Sequence, residues 1–193
     1  LLTLGPSDAE EQLRAQLAIG ATRAVLLETD GQEWDPQGTA AALVDAIKAE
    51  ETQFDLIIFG AESVDSAGYQ IHVRVAHALN RPIVTNVKAM KIENGVASCE
   101  RVVATGREHY EAPLPAIVTV RDGLNIPRYP SVPGRMQARK KPVDMKKAEP
   151  RVPKLEKLNL TIAPSKSTGA EILGNGADAV PALVEVLKKI GAL

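Results

Sequence analysis

The stretch "FDLIIFG", Phe54 to Gly60, constrains the fold of this chain more than any other. Apart from Asp55 it is apolar up to its terminal glycine. A strand that is apolar on both faces belongs inside a parallel sheet with helices covering both sides. Its flanks agree with that placement. Asp35-Pro36 is a helix-start signal, and Leu43, Val44 and Ile47 behind it form one apolar stripe. Earlier still, Arg23 to Glu28 reads as a short strand, and Leu1 to Leu4 as another that ends at Gly5-Pro6. Between those two strands Ser7 and Glu10 have the spacing of a capping box. Ala9, Leu13 and Leu17 then share one helical face, and Gly20 stops the helix. After Gly60, the positions Ile71, Val75 and Leu79 recur at helical spacing. Strands alternating with helices in this way predict right-handed crossovers and a doubly wound sheet.

Beyond residue 80 the pattern changes. Asn94-Gly95 between alternating segments is a hairpin signal, and Ala116 to Val120 supplies one more strand. Residues from about 122 to 177 are rich in Pro, Lys and Arg with little periodicity, and read as an extended arm. The chain closes on an amphipathic helix in "AVPALVEVLKKIGAL", with Val180, Leu183, Val184, Leu187 and Ile190 on its apolar face. The expected division is therefore an α/β domain over 1–121 and an arm with a terminal helix over 122–193. The core must be built from Ala, Val, Leu and Ile, because only 3% of the residues are aromatic although 45% are hydrophobic.

A net charge of −1 gives no global field for nucleic acid or an acidic membrane. The basic arm, Arg135 to Lys157, has nothing for bases to stack on except Tyr129 at its edge, so a protein partner fits it better. The single cysteine, Cys99, suits a reducing compartment, and no apolar run reaches the length of a membrane span. These features predict a soluble intracellular protein. His72 and His77 lie five apart on one helix and do not share a face as zinc ligands would. His109 reads as a surface residue, and Cys99, with no histidine nearby, as a buried thiol. No catalytic constellation and no metal site emerges. Ligands of open α/β sheets sit beyond the carboxyl ends of the strands. Two such ends stand out, "LTLGPSD" and "IIFGAESVDSAGYQ", in which Ser63, Asp65, Ser66, Gly68 and Gln70 offer hydrogen-bonding groups. Neither loop carries a dinucleotide fingerprint or a P-loop. An ordinary strand–helix connection explains them as well as an anion cradle does.

Several segments nevertheless match one family in order. "LNIPRYPSVPGRMQARKKPV", Leu124 to Val143, resembles the segment "LNxPRYxSLPxIMxAxKKxI" of the electron transfer flavoprotein β subunit. "GPSDAEEQLRAQLAIGATRAV" is similar to that family's "GPxxxxExLRxALAMGADRAV", and "DLIIFGAESVDSAGYQ" to its "DLVLxGxQSxDxxxxQ" loop. "CERVVATGREHYEAPLPAIVTV" and the helix "ALVEVLKKIGAL" also fall into register.

The resemblance implies a Rossmann-like, adenine nucleotide α-hydrolase-like sheet with an extended arm that embraces an α subunit. It implies an electron carrier rather than an enzyme, with FAD held by or shared with the α subunit and AMP held structurally by this one. Electrons would arrive from flavin dehydrogenases such as acyl-CoA dehydrogenases and leave for a membrane quinone oxidoreductase, in a bacterial cytoplasm rather than a mitochondrial matrix. The implied nucleotide residues are Leu4, Gly5 and Pro6 with Gly60, Asp65, Ser66, Ala67, Gly68, Tyr69, Gln70 and Ile71. Bifurcating members instead hold a second FAD in the β subunit and use NADH, and a stand-alone nucleotide-binding regulator is the remaining alternative. Ile71 and His72 depart from the family, which has a small or polar residue and then glycine there. A side-chain contact to phosphate gives way to backbone N–H groups. The family's docking loop is shortened here, with Val152 as the nearest apolar tip. The family's first strand and helix would precede Leu1, so the sheet is expected to lack them.

Overall fold

The computed structural model describes residues 1–63, 66, 68–156, 158–162, 164 and 170–193. They form two compact units, Leu1–Glu156 and Lys157–Leu193. In the first, β1 (Leu2–Gly5), α1 (Ala9–Ala18), β2 (Ala24–Glu28), α2 (Pro36–Lys48), β3 (Leu56–Gly60) and α3 (Ile71–Ala78) alternate as the hydrophobic periodicity predicts. Asp35 caps α2 by accepting a hydrogen bond from Gly38 N at 2.6 Å. The capping box expected at Ser7 and Glu10 does not form. Asp8 is the N-cap, in helical conformation, and the Glu10 carboxylate instead accepts from Arg14 at 2.9 Å. An i,i+4 partner on the helix surface competes successfully with the cap.

The hairpin strands are β4 (Ile83–Glu93), β5 (Val96–Val103) and β6 (Gly106–Pro113), followed by β7 (Ala116–Val120). Asn94 and Gly95 turn the first hairpin with φ of 51° and 77°, the left-handed pair that a two-residue loop requires. β4 changes partner along its length: its first half runs parallel to β7 and its second half antiparallel to β5. The register shifts around Asn86, whose φ of 59° makes the bend.

The basic segment is not an extended arm throughout. Residues Val132–Ala138 form helix α4 and Val143–Lys147 form strand β8, parallel to β2. Ser131 caps α4 by accepting from Gly134 N at 3.1 Å, with Pro133 in the first turn. Two cations then lock α4 to α1. Arg14 Nη1 donates to Ala138 O at 2.8 Å and Lys141 O at 2.7 Å, while Lys141 Nζ donates to Leu17 O at 2.8 Å and Ala21 O at 2.6 Å. Each cation sits at the carboxyl end of the other helix, where the dipole favours it. Periodicity could not reveal these elements because one is a seven-residue helix and the other is mostly charged.

β2 is buried on both faces. Ala24 and Leu26 pack against Leu13, Leu17 and Ala138 of α1 and α4, and Val25 and Leu27 against Leu43 and Val44 of α2. This is the doubly wound arrangement. β3, expected to be central, lies instead at the edge of a five-stranded sheet in the order β3-β7-β4-β5-β6, separate from the three-stranded sheet β1-β2-β8. A cleft of about 490 Å³ separates β1 from β3, with α2 along one wall. In the second unit α5 (Val180–Lys189) follows a short 3-10 turn. Its Val180, Leu183 and Val186 and the adjoining Ile190 are exposed.

Candidate functional site

The carboxyl ends of β1 and β3 carry the two loops singled out from the sequence. Each strand runs parallel to its sheet neighbour, β1 to β2 and β3 to β7. Leu4 and Gly5 end β1, and Pro6 turns the chain into α1 by accepting from Ala9 N at 3.0 Å. A Cβ on Gly5 would meet only Ala9 at 3.5 Å, and one on Gly60 only Glu62 O at 4.0 Å. Both are ordinary contacts, so packing does not demand glycine at either place.

In the second loop Asp65 and Ala67 lie outside the described residues. Ser66 Oγ is 2.7 Å from Ser63 Oγ. Past Gly68, Tyr69 is exposed and left-handed, with φ of 49°. Gln70 is the N-cap of α3 but leaves the cap unmade, its side chain accepting instead from Arg74 Nη2 at 3.0 Å. Ile71 turns inward against the core. It can face a ligand only through its backbone N–H, as its β-branched apolar side chain suggested. The first turn of α3 therefore presents amides with no side-chain cap and no acidic residue of its own, an arrangement suited to an anion.

His72 does not add charge there. It is buried against Phe59, ring centroids 6.4 Å apart, and burial pushes its imidazole below the usual histidine range. Arg74 does add charge, and the sequence reading passed over it. Its Nε is buried with no hydrogen-bond partner among the described residues. Its charge also reaches Asp35, whose carboxyl is held below the ordinary range chiefly by the Gly38 and Lys154 amides and to a smaller extent by Arg74. The signal was available: a cation one turn into a helix opposes the dipole and calls for an anion nearby. Asn86 was also missed. Its left-handed backbone donates to Thr119 Oγ1 at 2.9 Å, and its Oδ1 is buried without a partner among the described residues.

The other candidates lie away from these two loops. Cys99 is buried, and burial raises its thiol pKa, so it stays protonated. His109 is exposed on β6, facing Glu100 at 3.8 Å. Val152 is exposed.

A family model described as "Electron transfer flavoprotein domain" matches residues 1–150. The chain belongs to the electron transfer flavoprotein β-subunit family. The Bacillus subtilis protein named electron transfer flavoprotein subunit beta is 35% identical over 199 residues, covering 97% of this chain and 76% of the relative. Its namesake in Syntrophomonas wolfei is 34% identical over 172 residues, covering 89% of this chain and 67% of the relative. A third relative, the caffeyl-CoA reductase-Etf complex subunit CarD of Acetobacterium woodii, is 35% identical over 147 residues, covering 74% and 55%. Among the described residues no helix is long and apolar enough to cross a membrane.

Proposed function

We propose that this β-subunit chain is the adenine-nucleotide-holding partner in a heterodimer whose α subunit carries the FAD. AMP is held structurally, its phosphate on the uncapped first turn of α3 and on Arg74, with the loops Leu4–Pro6 and Gly60–Ile71 around the ribose. The buried, unpartnered Nε of Arg74 beside that helix start is the observation that carries this reading. Binding to the folded state alone stabilises it by about 4 kcal/mol at a thousandfold excess over Kd. The complex passes electrons from flavin dehydrogenases, acyl-CoA dehydrogenases among them, to a membrane quinone oxidoreductase. FAD supplies the redox chemistry, and this chain supplies support and surface.

Two apolar surfaces would meet the α subunit. Ile126, Tyr129, Val132 and Met136 lie exposed on and before α4, and α5 of the second unit exposes its own apolar face. Replacing Ile126 and Tyr129 together by Asp should abolish co-purification with the α subunit while leaving the melting temperature of this chain unchanged. Retained co-purification would refute the first surface.

Heat extraction of the purified heterodimer should release AMP at about one per β chain. The second reading is that this chain holds its own FAD and uses NADH. FAD released from the isolated β chain would establish that reading and exclude the first.

A further inference from the structure

The segment that follows β8 is fastened differently from the rest of the first unit. From Glu149 to Glu156 every residue is exposed, Val152 at 87% and Leu155 at 54%. Apolar burial, the usual source of order, does not hold this strap. Polar contacts to α2 do. Lys154 N donates to Asp35 Oδ2 at 2.9 Å, and the Leu155 amide adds a weaker contact to the same carboxylate. Arg151 pairs with Asp45 further along α2. At the root of the strap Ala148 N donates to Glu28 O at 3.0 Å, extending the ladder between β8 and β2. Val152 and Pro153 lie between the two fastenings.

Asp35 is thereby shared between two tasks. Its Oδ1 accepts from Gly38 N at 2.6 Å, and this bond alone completes the cap of α2. Serine or asparagine would cap the helix as well. The strap is what uses a carboxylate, because an ionised carboxylate accepts on both oxygens whereas asparagine offers one oxygen and a donor. The Arg151–Asp45 pair is more than half exposed on both sides, and such a pair contributes little. One side chain therefore carries most of the hold. A cavity of about 310 Å³ lies between the root of the strap, Lys147 to Pro150, and the loop carrying Glu28, Asp30 and Trp34.

We propose that Asp35 is a latch: one oxygen starts α2 while the other fastens the strap Glu149–Glu156 to it, so that the strap opens and closes as a unit over an undisturbed sheet. Opening breaks no ladder bond and uncovers no buried residue, which makes it a local event of low cost compared with unfolding. Pro150 and Pro153 restrict the backbone between the fastenings and favour movement in one piece. Closed, the strap fixes the place of Val152 and walls the cavity beside Trp34. Open, it releases both. The latch works in the same way whichever nucleotide the chain holds.

The test uses the 193-residue chain with Asp35→Asn and Asp35→Ser, each of which keeps a capping oxygen. Residue-resolved amide exchange should be at least about tenfold faster at Lys154 and Leu155 in both variants, and unchanged at Leu43 and Val44 inside α2. Trp34 is the only tryptophan of the chain, and acrylamide quenching of its fluorescence should increase in both variants. Asp45→Asn should speed the same two amides by no more than about fivefold. Unchanged exchange at Lys154 and Leu155 in both Asp35 variants would overturn the latch. An equal acceleration along α2 would also overturn it, because the helix and not the strap would have come loose. An effect of Asp45→Asn as large as that of the Asp35 variants would place the hold at Arg151 and remove the role assigned to Asp35.

Discussion

β2 and β3 are both five-residue parallel strands, "AVLLE" and "LIIFG", and the second is the more apolar. Yet β2 is buried on both faces, whereas Ile58 of β3 is more than half exposed. The difference lies in their neighbours. β2 has a strand on each side, β1 and β8, while β3 has only β7. An apolar strand becomes core when its flanks are filled. Hydrophobicity alone states a demand that other parts of the chain must meet. Around β2 the demand is met by the basic segment, which reads as an extended arm yet folds into α4 and β8.

The sharpest way to break this comparison is to end the chain after Gly123. That cut leaves β3 untouched but removes α4 and β8, uncovering Leu13, Leu17, Ala24 and Leu26. The shortened chain should lose its cooperative thermal transition in circular dichroism. A transition kept within a few degrees would show that β2 does not need its outer neighbours.

Point substitutions grade the same contrast. Leu26→Ala should cost about 3 kcal/mol in urea unfolding, as removal of a fully buried leucine does, whereas Ile58→Ala should cost under about 1 kcal/mol. Equal losses would mean that the β3 side is already closed. Gly134→Ala probes the α4 docking directly, since a Cβ there would lie 2.6 Å from Ala18 O, a backbone atom that cannot step aside. A loss of about 1–3 kcal/mol is expected. An unchanged denaturation midpoint would mean that α4 rides further from α1.

The smallest effect concerns His72, packed on Phe59 of β3. Its folded pKa is lowered by burial, so as pH falls through the ordinary histidine range the unfolded state takes up the proton first. The stability held above that range should decline as pH drops below about 6.5. His72→Leu should flatten that part of the melting-temperature profile. A slope unchanged in the variant would assign the decline to another group.

Much of the candidate site was legible because its residues are local in sequence. The glycine ends of β1 and β3, the helix entry at Gln70 and the inward turn of Ile71 all follow from short-range pattern. Arg74 and Asn86 were not legible in the same way. The importance of Arg74 comes from burial of its Nε without a partner among the described residues, and that of Asn86 from a change of partner within one strand. Ser131 with Pro133 did carry a start signal for α4, but it was hidden in a proline-rich run that resembles a linker.

By itself the sequence determined the local choices: which segments up to Val120 become strands or helices, where Asn94-Gly95 turns, and that Asp35 begins α2. Side-chain period, proline and glycine geometry and caps act within a few residues, so a single pass along the chain reads them. Only the tertiary structure decided which apolar strand is buried, which cations clamp α1 to α4, and that β1 and β3 face each other across a cleft. Those outcomes depend on residues far apart in the chain meeting, as Arg14 and Lys141 do. Close packing and backbone pairing settle such meetings, and neither is written in any one stretch of the chain.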